Sequence, residues 1–351
     1  MTAYITSFLS AIFGGLLCSK FKIKKNKKLL CIIFTALPLV VLSAVRENIG
    51  TDYANYVKIF TDIRDYGHLD SIYFGTRSIE PLYFLLNKVI SWFHGDPQWV
   101  FVITSLVYVV TVVYVCYDAS PYPLFSVFLL MGTTAYFEQF NTMRQHLGCV
   151  LLLLSLLYVF QRKPIKFLIL VFIAGMLHYV CLLFLPVYFI NKIKVKPRHM
   201  VIGVIAFAVL QRPIIQIAYA LLSNTQYVIY IDDQVGSGVG LVGILAQLVI
   251  FGLMTVMYRE EPEYKTLYVL EAISLMITFL LSSVPLIGRV RWVFFYPVVI
   301  LGIPFAVKKI KNGYLRFGIK LALVLFFCVY AYVTIVVNRG YGVYPYQSIF
   351  D

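Results

Sequence analysis

Charged side chains are scarce in this sequence. Of its 351 residues, 13% are charged, whereas 61% are hydrophobic and 17% are aromatic. A soluble domain carries about 25% charged residues. Apolar runs of roughly 20 residues recur along the chain, which is the length that crosses a hydrocarbon core about 30 Å thick. This composition excludes a soluble protein and predicts an all-α, polytopic bundle of transmembrane helices, because backbone in lipid must satisfy its own hydrogen bonds.

Sequence motifs for metal ions and disulfides are missing too. The six cysteines include no C-x-x-C pair, and the five histidines show no H-x-x-E-H spacing. We therefore expect the cysteines to be small packing residues, and we predict no metal and no cofactor. The net charge of +14 would suit a nucleic-acid-binding protein, but the basic residues cluster between apolar runs instead of forming a patch on a soluble module. We predict a lipid bilayer around the chain and no nucleic acid.

The basic clusters also predict an orientation, since lysine and arginine concentrate in cytoplasmic loops. They lie at 20–28, 162–166, 192–198, 259–265 and 308–320. All five fall on one side only if the apolar run 167–190 enters the membrane and returns. We therefore predict a re-entrant helical hairpin bent near His178, because 24 residues are too few for two full helical crossings. The long polar loop 46–98 then lies on the outer side of the membrane, opposite the cytoplasmic clusters.

The predicted architecture is one polytopic membrane domain over 1–351, with a large periplasmic loop at 46–98. It has about ten full spans besides the hairpin near 167–190. We place them at 3–20, 29–45, 99–117, 122–138, 142–160, 200–222, 240–258, 266–285, 292–307 and 318–337. The loop includes an amphipathic helix near 79–93 that we expect to lie along the membrane surface. Its predicted apolar face consists of Leu82, Leu85, Leu86, Val89 and Phe93.

Several short motifs resemble one known family. The run Arg46–Tyr53 with Tyr56 resembles the R-x-x-x-G-T-D-Y-x-x-Y signature of the EpsG family. Further resemblances are Glu80-Pro81-Leu82, Asn141-Thr142-Met143-Arg144-Gln145, Gly175-Met176-Leu177-His178-Tyr179 and the ending Tyr344-Pro345-Tyr346-Gln347-Ser348. The motifs occur in the family's order along the whole chain. One departure is His146-Leu147-Gly148, where the family commonly has an aliphatic-alanine pair.

EpsG-like proteins belong with the Wzy-type O-antigen and exopolysaccharide polymerases. The resemblance implies a glycosyltransferase of polysaccharide or lipopolysaccharide biosynthesis. Such an enzyme transfers a glycan from undecaprenyl diphosphate to the non-reducing end of a lipid-linked repeat unit at the periplasmic face. It needs no nucleotide sugar and no metal. A chain-length regulator and a flippase of the same pathway are the protein partners that this reaction suggests.

The diphosphate leaving group of that reaction calls for arginine, whose planar guanidinium donates paired hydrogen bonds to anions. Four arginines stand at or beyond periplasmic span ends, namely Arg46, Arg144, Arg289 and Arg291. Arg144 opens a helix for which Asn141 is the predicted N-cap, and a helix N-terminus favours anions. Each of these arginines also suits a plain interfacial role, reaching to phospholipid headgroups. Arg212, beside Pro213 in an apolar span, is a substrate-binding candidate or half of a structural ion pair.

The acceptor hydroxyl needs a base or a hydrogen-bond acceptor. We rank His178 first, at the predicted bend, then Asp52 and Glu80, and Glu138 is a further candidate. The structural alternatives are a satisfied core histidine, an Asx-turn or an Arg46 partner for Asp52, and a helix cap before Pro81 for Glu80. We add Tyr53, Gln145 and Tyr346 as substrate-binding residues.

Three other functions stay open at this point. A lipid-linked oligosaccharide flippase or other transporter would also combine many spans with a broken helix, but it should show matching internal halves, and the sequence has none. An O-antigen ligase-like glycosyltransferase would use the same donor with a different acceptor. A membrane scaffold without enzymatic activity would not need charged residues gathered on one outer face.

Overall fold

A computed structural model describes residues 1–20, 26–67, 79–222, 241–280 and 287–351. Within these ranges the regular structure is helical, apart from one isolated antiparallel bridge between Arg46 and Ser348. The α-helices are α1 (Thr2–Lys20), α2 (Lys27–Ala44), α3 (Tyr53–Tyr66), α4 (Pro81–Trp92), α5 (Pro97–Ala119), α6 (Pro123–Gly132), α7 (Ala135–Glu138), α8 (Met143–Phe160), α9 (Pro164–Leu177), α10 (Pro197–Leu222), α11 (Leu241–Val256), α12 (Pro262–Leu280), α13 (Gly288–Pro297), α14 (Ile303–Lys308) and α15 (Gly313–Tyr332). Helices α13 and α14 are continuous through a π-helical turn, Val298–Gly302. The prediction of an all-α protein is confirmed.

Seven helices in the described ranges are long and apolar enough to cross a membrane, so the chain is a multi-pass membrane protein. They are Thr2–Lys20, Lys27–Ala44, Pro97–Ala119, Met143–Phe160, Pro197–Ile217, Gly288–Lys308 and Gly313–Val337. Shorter apolar helices accompany them. The number of full spans, about ten from the sequence, stays a prediction.

The expected span 122–138 is divided in the structure. Helix α6 ends at Gly132, and the short helix α7 begins only at Ala135. Thr134 between them has a φ of 66°, in the left-handed region that interrupts an α-helix. The break turns the polar stretch that follows, with Gln139 and Asn141, into the interior of the bundle, where both side chains are buried.

The predicted bend at His178 is confirmed. Helix α9 ends at Leu177, and a 3₁₀ helix, Tyr179–Lys192, follows directly. The two arms fold back on each other. This is seen at Phe167 and Tyr188, one on each arm, whose ring centroids are 5.3 Å apart. The 14 residues of the 3₁₀ arm rise about 28 Å at 2.0 Å per residue, so this arm is long enough to reach nearly across a bilayer. The depth of the hairpin in the membrane stays a prediction.

The helix expected near 79–93 is present as α4, but a different face is buried. Tyr83, Phe84 and Asn87 point into the protein, whereas Leu85 and Phe93 are exposed. Of the five residues predicted for the apolar face, Leu85 and Phe93 are turned away from the protein, whereas Leu82 and Leu86 pack against its core. Its position along the membrane stays a prediction.

Candidate functional site

Three helix ends converge on a charged cluster. Arg144 near the start of α8 forms an ion pair with Glu80, the residue before α4. The Nε2 atom of His178, at the tip of the hairpin, lies 4.0 Å from the Oε1 atom of Glu80. Asp52 and Arg289 lie close enough to interact electrostatically with this group. We call these five residues the tip cluster. The sequence-based candidates from four separate motifs thus meet in one place.

Glu80 is free to pair with Arg144 because of its position before a proline. It precedes Pro81, which occupies the first turn of α4 and has no N–H group. The Glu80 side chain makes no capping hydrogen bond to the described backbone. Its carboxylate turns to Arg144 instead and is 8% exposed, whereas the arginine side chain is 24% exposed. Glu80 therefore occupies the N-cap position without a side-chain cap, and its carboxylate is part of the tip cluster.

The start of α8 is fixed by a tyrosine, not by the asparagine predicted from the sequence. The N-cap position is Thr142. The hydroxyl of Tyr56 accepts a hydrogen bond from Met143 N (2.9 Å) and donates one to Asn141 O (2.8 Å). The Asn141 side chain donates to Tyr341 O at 2.9 Å. Tyr56, the last residue of the first motif, therefore holds the helix end that presents Arg144.

Asp52 lies at the N-terminus of α3, and a turn at Gly50 leads into it. Gly50 has a φ of 99°, and a Cβ atom there would stand 2.6 Å from the Asn141 side chain, so glycine is required. Burial raises the pKa of Asp52 above its ordinary value of 3.8, and the nearby Arg289 and Arg144 oppose this shift. A carboxyl that binds its proton more readily than usual beside two arginines suits proton transfer.

The C-terminal tail holds the segment that carries Asp52. Glu47 N donates to Gln347 O at 3.2 Å, and Gly50 N donates to Gly342 O at 3.0 Å. The last residues therefore pack along the first motif, with one antiparallel bridge between Arg46 and Ser348. This explains how two motifs at opposite ends of the sequence contribute to one structure.

Gln145 and Arg289 link α8 to α13. The Gln145 side-chain amide donates to the backbone carbonyl of Arg289, whose own side chain is exposed. Among the described residues, the Oε1 atom of Gln145 and the Nδ1 atom of His178 are buried without a hydrogen-bond partner. Unpartnered buried side-chain atoms also occur at Glu138, Glu271 and Arg291, so these two atoms do not by themselves mark a ligand site.

Arg291 lies outside the tip cluster. Two residues along an α-helix turn the side chain by about 200°, so Arg289 and Arg291 leave α13 on opposite sides. The Arg291 guanidinium stacks over Trp292 at 4.7 Å from its ring centroid and lies within electrostatic reach of Glu138 and Glu271. We call Arg291, Glu138 and Glu271 the inner cluster. A cavity of about 30 Å³ adjoins Arg291, which is room for about one water molecule.

Arg46 is enclosed by the protein. Its side chain is 0% exposed and lies between the rings of Phe101 and Phe140, at 4.7 and 4.5 Å from their centroids. It donates to Ser43 O at 2.5 Å. Burial lowers the pKa of Arg46 to about 10, so the guanidinium stays charged at neutral pH. This arginine stabilises the bundle, and in this conformation it has no surface for a diphosphate.

The remaining candidates do not join the tip cluster. The Tyr53 ring stacks on Phe101 with a centroid distance of 4.6 Å. The Tyr346 hydroxyl donates to Leu42 O at 2.8 Å, which anchors the tail. Arg212 is exposed on α10. These two tyrosines are therefore used in packing.

Some of the residues that the structure brings forward had no place in the sequence-based site. Tyr83 is fully buried under Arg144, with its ring centroid 5.7 Å from the guanidinium carbon. Glu271 lies in an apolar helix, and an isolated acid in a membrane span is a signal that could have found it. Tyr83 gave no such signal, because aromatic residues are common throughout this sequence. Across the part of the chain that the structure describes, no three His, Cys, Asp or Glu side chains form a group that could hold a metal ion.

The fold and the tip cluster define a multi-pass membrane protein with a polar site where a broken helix meets two helix N-termini. The model of the EpsG family matches residues 28–348, and the chain belongs to that family. It is therefore a membrane protein of the exopolysaccharide polymerase-like class, and its expected activity resembles that of a glycosyltransferase. Neither the curated proteins nor the solved structures contain a match to this chain.

Proposed function

We propose that the chain is a Wzy-type polysaccharide polymerase. It transfers a glycan from undecaprenyl diphosphate to the non-reducing end of a lipid-linked repeat unit, on the periplasmic face of a bacterial cytoplasmic membrane. The observation that carries this proposal is the tip cluster, where Arg144 and His178 share one carboxylate, Glu80, at the end of a membrane hairpin. This combination can bind a diphosphate and accept a proton in the same small volume.

In this proposal Arg144 and Arg289 bind the donor diphosphate. The Arg144 guanidinium has five N–H donors. Glu80 accepts from one of its nitrogens, so other donors remain for phosphate oxygens. Arg289 is exposed and adds a second positive charge. Negative charge develops on the diphosphate as the glycosidic bond breaks, and positioned donors stabilise it most where water is scarce. Arg291 and Arg46 are not part of this step.

His178 or Asp52 handles the acceptor. The acceptor hydroxyl oxygen forms a bond to the anomeric carbon of the donor sugar, and the bond from that carbon to the diphosphate oxygen breaks. The hydroxyl proton passes to the ring nitrogen of His178 or to the carboxylate of Asp52, and undecaprenyl diphosphate leaves. Gln145 is 1% exposed and positions Arg289 by donating to its backbone carbonyl, so it is not assigned a sugar contact. This scheme needs neither a nucleotide sugar nor a metal.

The test is complementation of a polymerase-null strain, with glycan chain length read on a gel. Arg144→Ala and His178→Ala proteins should give no long chains at matched protein levels. The matched control is Arg64→Ala, because Arg64 is exposed in the same loop, on α3, and among the described residues its ion pair is with its neighbour Asp65. Long chains at wild-type levels from both tip-cluster variants would overturn the site.

The orientation has a separate test. A cysteine at Lys194 should resist an impermeant thiol reagent applied from outside, whereas a cysteine at Arg64 should react. The exposed native Cys328 is first replaced by alanine, while the other five cysteines are buried. Ready labelling at position 194 from outside would show that the orientation is opposite to the predicted one.

A further inference from the structure

The Arg144 side chain is supported by two helices besides its own. Glu80, at the start of α4, pairs with one nitrogen of the guanidinium. Tyr83, three residues further on, lies under the guanidinium, with its ring centroid 5.7 Å from the Cζ atom. Tyr56 on α3 holds the backbone at Met143, the residue before Arg144. The guanidinium therefore has an ionic partner at its edge and an aromatic ring at its face.

The spacing of Glu80 and Tyr83 explains why both reach the same arginine. Residues three apart at a helix start lie on the same side of that helix, and Pro81 begins α4 directly after Glu80. The ring of Tyr56 meets the ring of Tyr83 edge-on, with centroids 6.0 Å apart and an angle of 66° between the planes. We call Tyr56, Glu80 and Tyr83 the Arg144 seat.

Burial shows which side of the guanidinium the ring covers. Tyr83 is 0% exposed, whereas the Arg144 side chain is 24% exposed. The ring therefore covers the protein side of the arginine and leaves its outer part open to a ligand. The Tyr83 hydroxyl lies near the Asn87 side chain, one turn further along α4, and makes no hydrogen bond to Arg144. The aromatic face, and not the hydroxyl, supports the arginine.

We propose that Tyr83 is a positioning residue whose ring fixes the orientation of the Arg144 guanidinium. A planar guanidinium stacks on an aromatic face, and this attraction is strongest where water is excluded. With Glu80 at one edge and Tyr83 on one face, the remaining N–H donors keep one direction. Donors that are already in place lose less conformational entropy when an anion binds. That the anion is a diphosphate rests on the proposed function, whereas the contact between Tyr83 and Arg144 does not.

Two substitutions separate the ring from the rest of the side chain. Tyr83→Phe keeps the ring and should extend chains at nearly the wild-type rate per folded molecule. Tyr83→Leu removes the aromatic face and should lower kcat several-fold with a smaller change in KM, because the leaving group gains charge in the transition state. Equal kcat values for the two variants would overturn the role of the ring.

The matched control is Tyr264→Leu. Tyr264 is also 0% exposed, and its hydroxyl donates to Met254 O on α11. This variant should lose folded protein as Tyr83→Leu does, but it should keep the wild-type kcat per folded molecule. A loss of kcat as large as that of Tyr83→Leu would show that removal of any buried tyrosine has this effect, and it would contradict the proposal.

Binding of farnesyl diphosphate, a soluble lipid diphosphate, tests the Arg144 seat without polymerisation. Calorimetry on the full chain in detergent gives the Kd. Tyr83→Leu should weaken binding several-fold in the chain with Arg144 and should add nothing in the Arg144→Ala background. This pattern is expected where two side chains act through one another. An equal loss in both backgrounds would show that Tyr83 acts on the fold instead of on Arg144.

Thermal unfolding without ligand separates this inference from the proposed function. The losses in Tm from Tyr83→Leu and Arg144→Ala should be less than additive in the double variant, because the contact is lost only once. Additive losses would overturn the contact, whatever the ligand is. Less than additive losses, in a protein whose wild type does not bind farnesyl diphosphate, would keep the Arg144 seat and remove the diphosphate from the proposed function.

Discussion

The tip cluster and the inner cluster each combine arginine with carboxylates, yet they are built differently. Arg144 stands at a helix end with part of its side chain exposed, and its partner Glu80 comes from another helix end. Arg291 stacks on Trp292 and Phe295, and Glu271 is 0% exposed. Glu271 of the inner cluster is fully buried, whereas Arg144 and Arg289 of the tip cluster reach the surface, where a ligand can meet them. We therefore expect tip-cluster changes to alter activity and inner-cluster changes to alter stability.

The largest effect is expected for Arg144→Ala. Loss of one positioned donor to the leaving group lowers kcat by about 10²- to 10³-fold. Arg144→Lys should fall between alanine and wild type, because lysine keeps the charge but not the paired donors. The measurement is the rate of chain extension in membranes supplied with lipid-linked repeat units. Equal rates for the lysine variant and wild type would show that only charge matters.

A smaller loss is expected for His178→Ala, about 10²-fold in the same assay, because a positioned base contributes at least that factor. His178→Gln keeps a hydrogen-bonding side chain at the bend without a base, and it should be nearly as slow. If the glutamine variant is fully active, His178 positions the acceptor and another group takes the proton. Asp52→Asn is then the variant to compare.

Tyr56→Phe should lower the rate, and it should lower stability by about 1–3 kcal/mol, since Met143 N loses its partner and becomes a buried unsatisfied donor. The change keeps the ring and most of its packing. Because Tyr56 acts through the start of α8, the variant should lose kcat more than substrate affinity when the rate is measured per folded molecule. Tyr53→Phe is the matched control on the same helix and should lose little, because the Tyr53 hydroxyl interacts with Gln98 and the Asn48 backbone and not with the start of α8.

A pH profile tests Asp52. Its raised pKa means that the active carboxylate is lost as pH falls, starting above the ordinary midpoint of 3.8. At neutral pH the wild type should be unaffected. In the Asp52→Asn variant, the residual rate should fall less steeply at acid pH than the rate of the wild type. An unchanged acid limb in that variant would assign the limb to another group.

The smallest effect on activity is expected in the inner cluster. Arg291→Gln should leave the rate per folded molecule within about twofold, but it should lower stability, because the carboxyls of Glu138 and Glu271 lose their nearby cation. Thermal unfolding in detergent measures this. Glu271→Gln combined with Arg291→Gln should recover part of the loss. A large loss of rate with unchanged stability would move Arg291 into the catalytic site and erase the contrast between the two clusters.

The family departure at His146-Leu147-Gly148 also has a structural explanation. A Cβ atom at Gly148 would stand 2.4 Å from the Cys181 sulfur and 3.3 Å from Ala174 O. Both residues belong to the hairpin, one on each arm. Glycine at this position therefore lets the hairpin pack closely against α8. The contact on the 3₁₀ arm is Cys181, three residues after His178. The sequence alone could not show that this small residue and the hairpin meet.

Composition and charge distribution by themselves determined the membrane class, the helical fold and the break at His178. These are local properties, because the length of an apolar run and the side of a basic loop do not depend on which helices are neighbours. The motifs also identified Glu80, Arg144 and His178 individually. Only the tertiary structure decided which charges act together. It joined Glu80 to Arg144 across 64 residues, separated Arg289 from Arg291 across two, and enclosed Arg46 between two rings. Such groupings depend on helix packing and side-chain direction, which no single segment of sequence contains.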